Sequence, residues 1–242
     1  PPALILVFIA VPTIRTSFRS TGTPPPGALH VEVVGHQWWW EFRYPELGIT
    51  TANELWVPVN RPVALAMTTA DVIHSFWIPR LAGKRDVIAG RVNRIAFTAD
   101  SVGDFLGQCA EYCGRSHANM RLRVMVRSDS AFRDWAARQT GGPAPLDTTS
   151  AAWRGRQVFA RSACIGCHTM EDVPVARAQI GPNLTHVGAR TTIGSGLFPN
   201  DSEHLRRWVA NAPAMKPGSL MPPMVLGDED LDAIVAYLQS RQ

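Results

Sequence analysis

Cysteine is scarce in this chain. Four residues in 242 are too few to staple a fold of this length, which excludes a disulfide scaffold. Lysine is scarcer still: of 24 basic residues, only Lys84 and Lys216 are lysines. The basic excess is small as well. Before Gly142 there are 15 basic and 11 acidic residues, and after it 9 of each, too weak and too spread for a nucleic-acid footprint. Long apolar runs are also missing. Ala3 to Val11 is continuously apolar and Ile14 extends the run, but Arg15 and Arg19 stop it. About 12 apolar residues fall short of the roughly 20 that span a bilayer core. The run reads as a buried strand or short helix, as the remnant of a signal peptide lacking its small-residue cleavage site, or as the outer end of a transmembrane helix. The proline-rich spacer Thr21 to Gly27 favours the last reading. A hydrophobic share of 45% against 18% charged residues excludes wholesale disorder.

What is present falls into two textures. From Leu29 the hydrophobic period is two, as in a half-buried strand. Strand-like runs follow at Glu54 to Val59, Val63 to Thr69, Arg91 to Ala99 and Met120 to Val126, separated by Pro, Gly and Asn/Asp. Such spacing predicts an all-β sandwich or barrel, closed by a short helix at Phe132 to Gln139. Thr140 to Ser150, with Gly-Gly-Pro-Ala-Pro, is a linker by composition. Beyond it the texture is helical: Ala151 to Ala163 with Ser150 as cap, Glu203 to Ala212, and Asp228 to Gln239. The last has Leu231, Ile234, Val235 and Leu238 on one face and acids in its first turn. The expected division is 1–20 end of a transmembrane helix, 21–28 spacer, 29–139 β domain, 140–150 linker and 151–242 helical domain.

Cysteine, where it occurs, is paired. Cys164-Ile165-Gly166-Cys167-His168 is the Cys-x-x-Cys-His signature of covalent haem attachment. Two thiols on one turn can add to the two vinyl groups of a porphyrin edge, and the adjacent imidazole then meets the iron. The competing readings are a redox Cys-x-x-Cys, which wants a βαβ context, and half a zinc site, which wants a second ligand pair nearby. Neither context is evident. A haem iron held by one His often takes Met as its sixth ligand. Met215, Met221 and Met224 lie in a Pro/Gly-rich loop before the last helix, each of them a possible core filler instead. From Ala151 to Arg241 the chain resembles a class I cytochrome c. Gly181-Pro182-Asn183-Leu184 resembles the loop whose proline carbonyl supports the axial His, which implies that role for Pro182. Leu220-Met221-Pro222 resembles the axial Met turn.

The other pair stands in Cys109-x3-Cys113-x3-His117-x2-Met120, four soft or borderline ligands in 12 residues. Thiolate and thioether together favour copper, and a second thiolate allows two sulfurs to bridge two metals. His74 on an earlier strand can be the second imidazole. A Cys109–Cys113 disulfide and a Cys2His2 zinc site are the alternatives; both leave Met120 unexplained.

Gly35-His36-Gln37-Trp38-Trp39-Trp40-Glu41-Phe42, Val72-Ile73-His74-Ser75-Phe76 and Cys109-Ala110-Glu111-Tyr112-Cys113-Gly114, followed by His117 and Met120, resemble subunit II of the haem–copper oxygen reductases in its variant with a fused cytochrome c domain. The resemblance covers nearly the whole chain. It implies a cupredoxin-like Greek-key barrel followed by a small all-α cytochrome c domain. It implies a dinuclear CuA centre bound by His74, Cys109, Cys113, His117, Met120 and the carbonyl of Glu111, and a Mg site shared with subunit I through the Glu111 side chain. It implies covalent haem c on Cys164 and Cys167, with His168 and Met221 axial, and an exposed electron-input aromatic, Trp38, over the copper. The family has two transmembrane helices ahead of the barrel, and this sequence begins near the end of the second.

The expected role is electron input to a proton-pumping cytochrome c oxidase, from cytochrome c or another respiratory complex to subunit I, beside the other oxidase subunits. The expected place is the outer, periplasmic face of the bacterial cytoplasmic membrane, although Arg15 and Arg19 run against the positive-inside bias. The alternatives are the input subunit of a nitric oxide reductase, a relative of nitrous oxide reductase, or a copper carrier with no need of a fixed redox partner.

Overall fold

The computed structural model describes residues 2–21 and 24–242; residues 22 and 23 of the expected spacer lie outside the described residues. Helix α1 (Pro2–Thr21) comes first, and Leu4, Ile5, Leu6 and Phe8 on it are exposed. Among the described residues no helix is long and apolar enough to cross a membrane.

Ten strands follow: β1 (Leu29–His36), β2 (Trp39–Tyr44), β3 (Ile49–Ala52), β4 (Glu54–Pro58), β5 (Pro62–Thr69), β6 (His74–Ile78), β7 (Ala82–Val87), β8 (Asn93–Thr98), β9 (Gly103–Cys109) and β10 (Arg121–Arg127). They form two five-stranded sheets, ordered β3-β2-β1-β5-β8 and β4-β10-β9-β6-β7. Of the expected sandwich or barrel, the structure shows a pair of sheets. Alternation decides which side chains fill the space between them: in β10, Leu122 and Val124 are buried while Arg121 is exposed. Trp40, Phe42 and Phe76 meet in the middle, with the Trp40 and Phe76 rings edge to face at 5.1 Å. Helix α2 (Asp129–Thr140) closes one end. Its Trp135 stacks on Trp56 at 5.3 Å, and the Tyr44 hydroxyl donates to the Trp56 carbonyl while accepting from the Trp56 N–H.

The second unit holds α3 (Ala151–Arg161), the short strands β11 (Thr192–Ile193) and β12 (Phe198–Pro199), α4 (Ser202–Met215) and α5 (Asp228–Ser240). The Ser150 hydroxyl accepts from the Trp153 N–H and caps α3, as its sequence position predicts. Helices α3 and α5 are in backbone contact: a Cβ at Gly155 would lie 1.9 Å from the Ala233 carbonyl oxygen. Below this crossing, Asp172 accepts from the Tyr237 hydroxyl at 2.6 Å and from buried Arg241 at 3.0 Å. A β-rich, cupredoxin-like domain is therefore followed by a helical one, in the expected order.

Only glycine fits where α3 crosses α5. Gly155→Ala is expected to destabilise the helical domain by about 3 kcal/mol, the upper end for overpacking a filled interior. Denaturant unfolding followed by circular dichroism measures this; an unchanged midpoint would contradict the close crossing.

Candidate metal centre and cofactor cleft

Strand β9 ends at Cys109 and β10 begins at Arg121, so the cysteine motif is the loop between two paired strands. The loop is tied down by its own backbone. Cys109 N–H donates to Met120 O at 2.9 Å, Ala110 N–H to Ser75 O at 2.8 Å, and Met120 N–H to His117 O at 3.1 Å. Strand β6 pairs beside β9 with Phe76 opposite Cys109, which brings His74, 35 residues earlier, against the loop.

Five side chains converge there. Cys109 Sγ lies 3.8 Å from Cys113 Sγ and 3.9 Å from His74 Nδ1. Cys113 Sγ lies 3.6 Å from His117 Nδ1 and 3.9 Å from Met120 Sδ. The Glu111 carbonyl oxygen is 3.1 Å from Cys109 Sγ. His74, Cys109, Cys113 and Met120 are all buried. Donors bound at about 2.0–2.3 Å to shared soft metal ions stand roughly this far apart, so the donor set fits such ions. Among the described residues His74, Cys109 and Cys113 form a group that can hold a metal. The exposed Glu111 carboxylate is not in it, and no group among the described residues supports the expected Mg site.

Electrostatics prepare the same donors. The Cys109 thiol is driven far below its ordinary value, first by the hydrogen bond from Cys113, with His74 and backbone groups adding to it, against the cost of burial. Cys113 is pushed up, first by its hydrogen bond with Cys109, then by burial and by the Cys109 charge beside it. A metal cation would release both as thiolates. His74 Nε2 lies 2.8 Å from Asp71 Oδ1, which leaves Nδ1 facing the sulfurs. Burial alone would raise Asp71, but hydrogen bonds from His74, Gln37 N–H and Val72 N–H outweigh it and hold the carboxyl low.

The second site lies in the helical domain. Cys164 and Cys167 are free thiols on the turn after α3. They line a cleft with His168, Met221 and Met224; Met215 does not reach it. His168 Nδ1 is 2.8 Å from the Pro182 carbonyl oxygen, so a proton on Nδ1 leaves Nε2 free as a ligand. Burial lowers the His168 pKa, with the Pro182 contact opposing, and favours that neutral form. Paired thiols, a free imidazole nitrogen and a thioether around one mostly apolar cleft are the donor set that a covalent haem needs.

Trp38 differs from expectation. It is only 9% exposed, because the helical domain covers it, and it lines the cofactor cleft together with Trp39. Its indole N–H donates to the Cys113 carbonyl at 3.0 Å, so it does sit over the metal loop. Gly114, at φ +112°, is needed there, since a Cβ would lie 3.0 Å from the Trp38 ring. The motif reading missed Asp71, Glu54, Arg190, Ser195 and Lys216. Lys216 alone carried a signal, as one of two lysines.

Residues 48–128 match the family described as cytochrome c oxidase subunit II, periplasmic domain, and residues 152–242 match the cytochrome c family. Cytochrome c oxidase subunit 2 of Alkalihalophilus pseudofirmus is 36% identical over 99% of this chain and 70% of its own length. The same-named protein of Bacillus subtilis is 32% identical over 98% of this chain and 71% of its own length. Among solved structures, the periplasmic domain of subunit II of cytochrome oxidase of Bradyrhizobium japonicum is similar at 34% identity, over 48% of this chain and 96% of that one, with a TM-score of 0.47.

Two glycines hold the imidazoles in place. A Cβ at Gly35 would lie 2.8 Å from His74 Cδ2, and one at Gly181 would lie 2.6 Å from His168 Cε1. Gly35→Ala is expected to weaken metal binding at the cysteine loop about tenfold or more, as loss of a ligand's orienting shell does, and to spare the cleft. Gly181→Ala should do the reverse. Metal titration and cofactor incorporation measure the two effects, and equal losses at both sites would contradict this separation.

Proposed function

This chain belongs to the cytochrome c oxidase subunit II family, and from that membership we propose that it is the electron-input subunit of a respiratory oxidase, taking electrons from cytochrome c or another respiratory complex and delivering them through covalent haem c and dinuclear CuA to subunit I, where oxygen is reduced to water with proton pumping. The observation that carries the reading is the presence in one chain of two separate donor sets, one of bridging thiols and one of paired thiols beside an imidazole, with Trp38 lying between them.

Each residue has a holding role. His74, Cys109, Cys113, His117, Met120 and the Glu111 carbonyl would hold the copper pair. Cys164 and Cys167 would anchor the haem covalently, His168 and Met221 would bind its iron, and Pro182 would fix the His168 ring. When bound, these groups would supply one-electron redox chemistry, and the residues named here would hold them. Burial of the Cys109, Cys113 and Met120 side chains keeps water from the sulfurs, and shared thiolates would keep rearrangement small when one charge arrives. The reading divides the chain into a copper domain at 29–139, a linker at 140–150 and a haem domain at 151–242. Exposed apolar side chains on α1 support membrane attachment at that end, with both domains on the periplasmic face.

Three measurements test this. Metal and pigment analysis should find two coppers and one haem per chain. Cys113→Ser should abolish the near-infrared copper band and leave the haem spectrum, since serine is a poor bridge; one zinc in place of copper would sink the reading. Turnover of the complex with oxygen, and not with nitric oxide, separates it from the nitric oxide reductase alternative.

The axial ligand is tested separately. Met221 follows Gly218 and precedes Pro222, which stiffens the backbone at a weak thioether ligand. Met221→Ala should abolish the far-red sulfur-to-iron absorption of the oxidised haem and lower its potential. Met215→Ala and Met224→Ala should keep the band, and its loss in Met224→Ala alone would move the ligand to Met224.

A further inference from the structure

The two domains are joined by more than a linker. Glu54, the first residue of β4, is 1% exposed, and its Oε1 accepts four hydrogen bonds from the helical domain. Thr191 donates from N–H at 2.8 Å and from its hydroxyl at 2.6 Å; Thr192 does so at 3.0 and 3.1 Å. Bonds to an ionised acceptor are the strong ones, and a buried carboxylate requires them. The half-buried Arg190 guanidinium feels the Glu54 charge.

A second clasp closes on Trp38. Its carbonyl oxygen accepts from Lys216 Nζ at 2.6 Å and from the Ser195 hydroxyl at 2.7 Å, and Lys216 also donates to Ser195 at 2.8 Å. Lys216 is 3% exposed and Ser195 2%, so water does not compete for these bonds. Ser195 holds φ at +67°, a conformation that costs a non-glycine residue energy and persists only where the surroundings impose it. Gly218, three residues before Met221, passes so close that a Cβ would lie 3.2 Å from the Trp38 ring. Trp38 is thus gripped through its carbonyl by the cleft domain, while its indole grips Cys113 of the metal loop.

We infer that Lys216, Ser195 and Glu54 are positioning residues that dock the haem-binding cleft on Trp38, so that electrons cross between the two centres at a fixed contact and not during excursions of a tethered domain. The inference rests on the function proposed above. The step moves one electron: the haem iron is oxidised by one unit, the copper pair is reduced by one, and the positioning residues keep their covalent structure. With Trp38 covered, an external carrier delivers to the cleft domain and not to the copper loop.

A tether and a dock respond differently to linker length. A tethered partner's effective concentration falls with added flexible residues, whereas a docked partner is indifferent to them. The test uses the full chain loaded with haem and copper. An electron is injected photochemically at the haem and its arrival is followed in the near-infrared copper band. Lys216→Met and Glu54→Gln should each slow transfer about tenfold or more, since both misplace the partners. Spectra of both centres should stay unchanged in both variants, and in Glu54→Gln so should their potentials, while amide exchange at Thr191 and Thr192 should accelerate in Glu54→Gln. Inserting ten Gly/Ser residues after Gly142 should leave the rate unaltered. Ser195→Ala probes the same clasp by one hydroxyl if Lys216→Met does not fold. Unaltered transfer in variants whose Thr191 and Thr192 amides have opened would overturn the inference, as would a rate that falls with linker length. A wild-type chain that binds neither cofactor, or moves no electron between them, would overturn the functional reading and the inference with it.

Discussion

The backbone of Trp38 is bonded to one domain and its indole to the metal loop of the other, and most of the geometry at the centre of the molecule follows from that double grip. The indole N–H on the Cys113 carbonyl, joined by the Gln37 side chain at 2.7 Å, orients the Cys113–Gly114 peptide. The Cys113 sulfur then faces Cys109, His117 and Met120. On the other side, the Trp38 carbonyl holds a buried ammonium and a buried hydroxyl whose own segments carry the cleft wall.

Such an arrangement is costly in isolation. A buried ammonium, a buried carboxylate and a half-buried guanidinium each lose water, and each is kept only where hydrogen bonds or opposite charge compensate. Burial pulls Lys216 down to about 7, and the nearby Cys113 charge opposes that fall. Arg190 falls to about 10 by burial, with Glu54 opposing. These charged groups lie at the contact between the domains, where an apolar surface would hold the partners together with less control of direction. Hydrogen bonds are directional and so fix an orientation, which the proposed electron exchange requires.

Much of the fold can be read along the chain. The alternation of Leu122 and Val124 against Arg121 marks β10, and the spacing of Leu231, Ile234, Val235 and Leu238 marks α5, because both patterns are local consequences of backbone period. The edge strand β7 has no such mark: Ala82 to Val87 is polar and half exposed, and pairing with β6 alone makes it a strand. The three tryptophans defeat simple alternation. Trp38 lies in the turn ahead of β2, and all three are buried, since a second domain covers the one expected to face solvent.

The candidate ligands are legible in the residues themselves. Thiols four apart with His and Met downstream, and a Cys-x-x-Cys-His turn, name their chemistry because short spacing confines those donors to one loop whatever surrounds it. Tertiary structure decided the rest. His74 joins the cysteines only because β6 pairs with β9, and Asp71 orients it only once both are in place. Glu54 meets Thr191 across 137 residues, and Lys216 meets Trp38 across 178. No local pattern encodes contacts at that separation: a lone buried Glu or Lys has no periodicity, and its partner exists only when two independently folded surfaces come together.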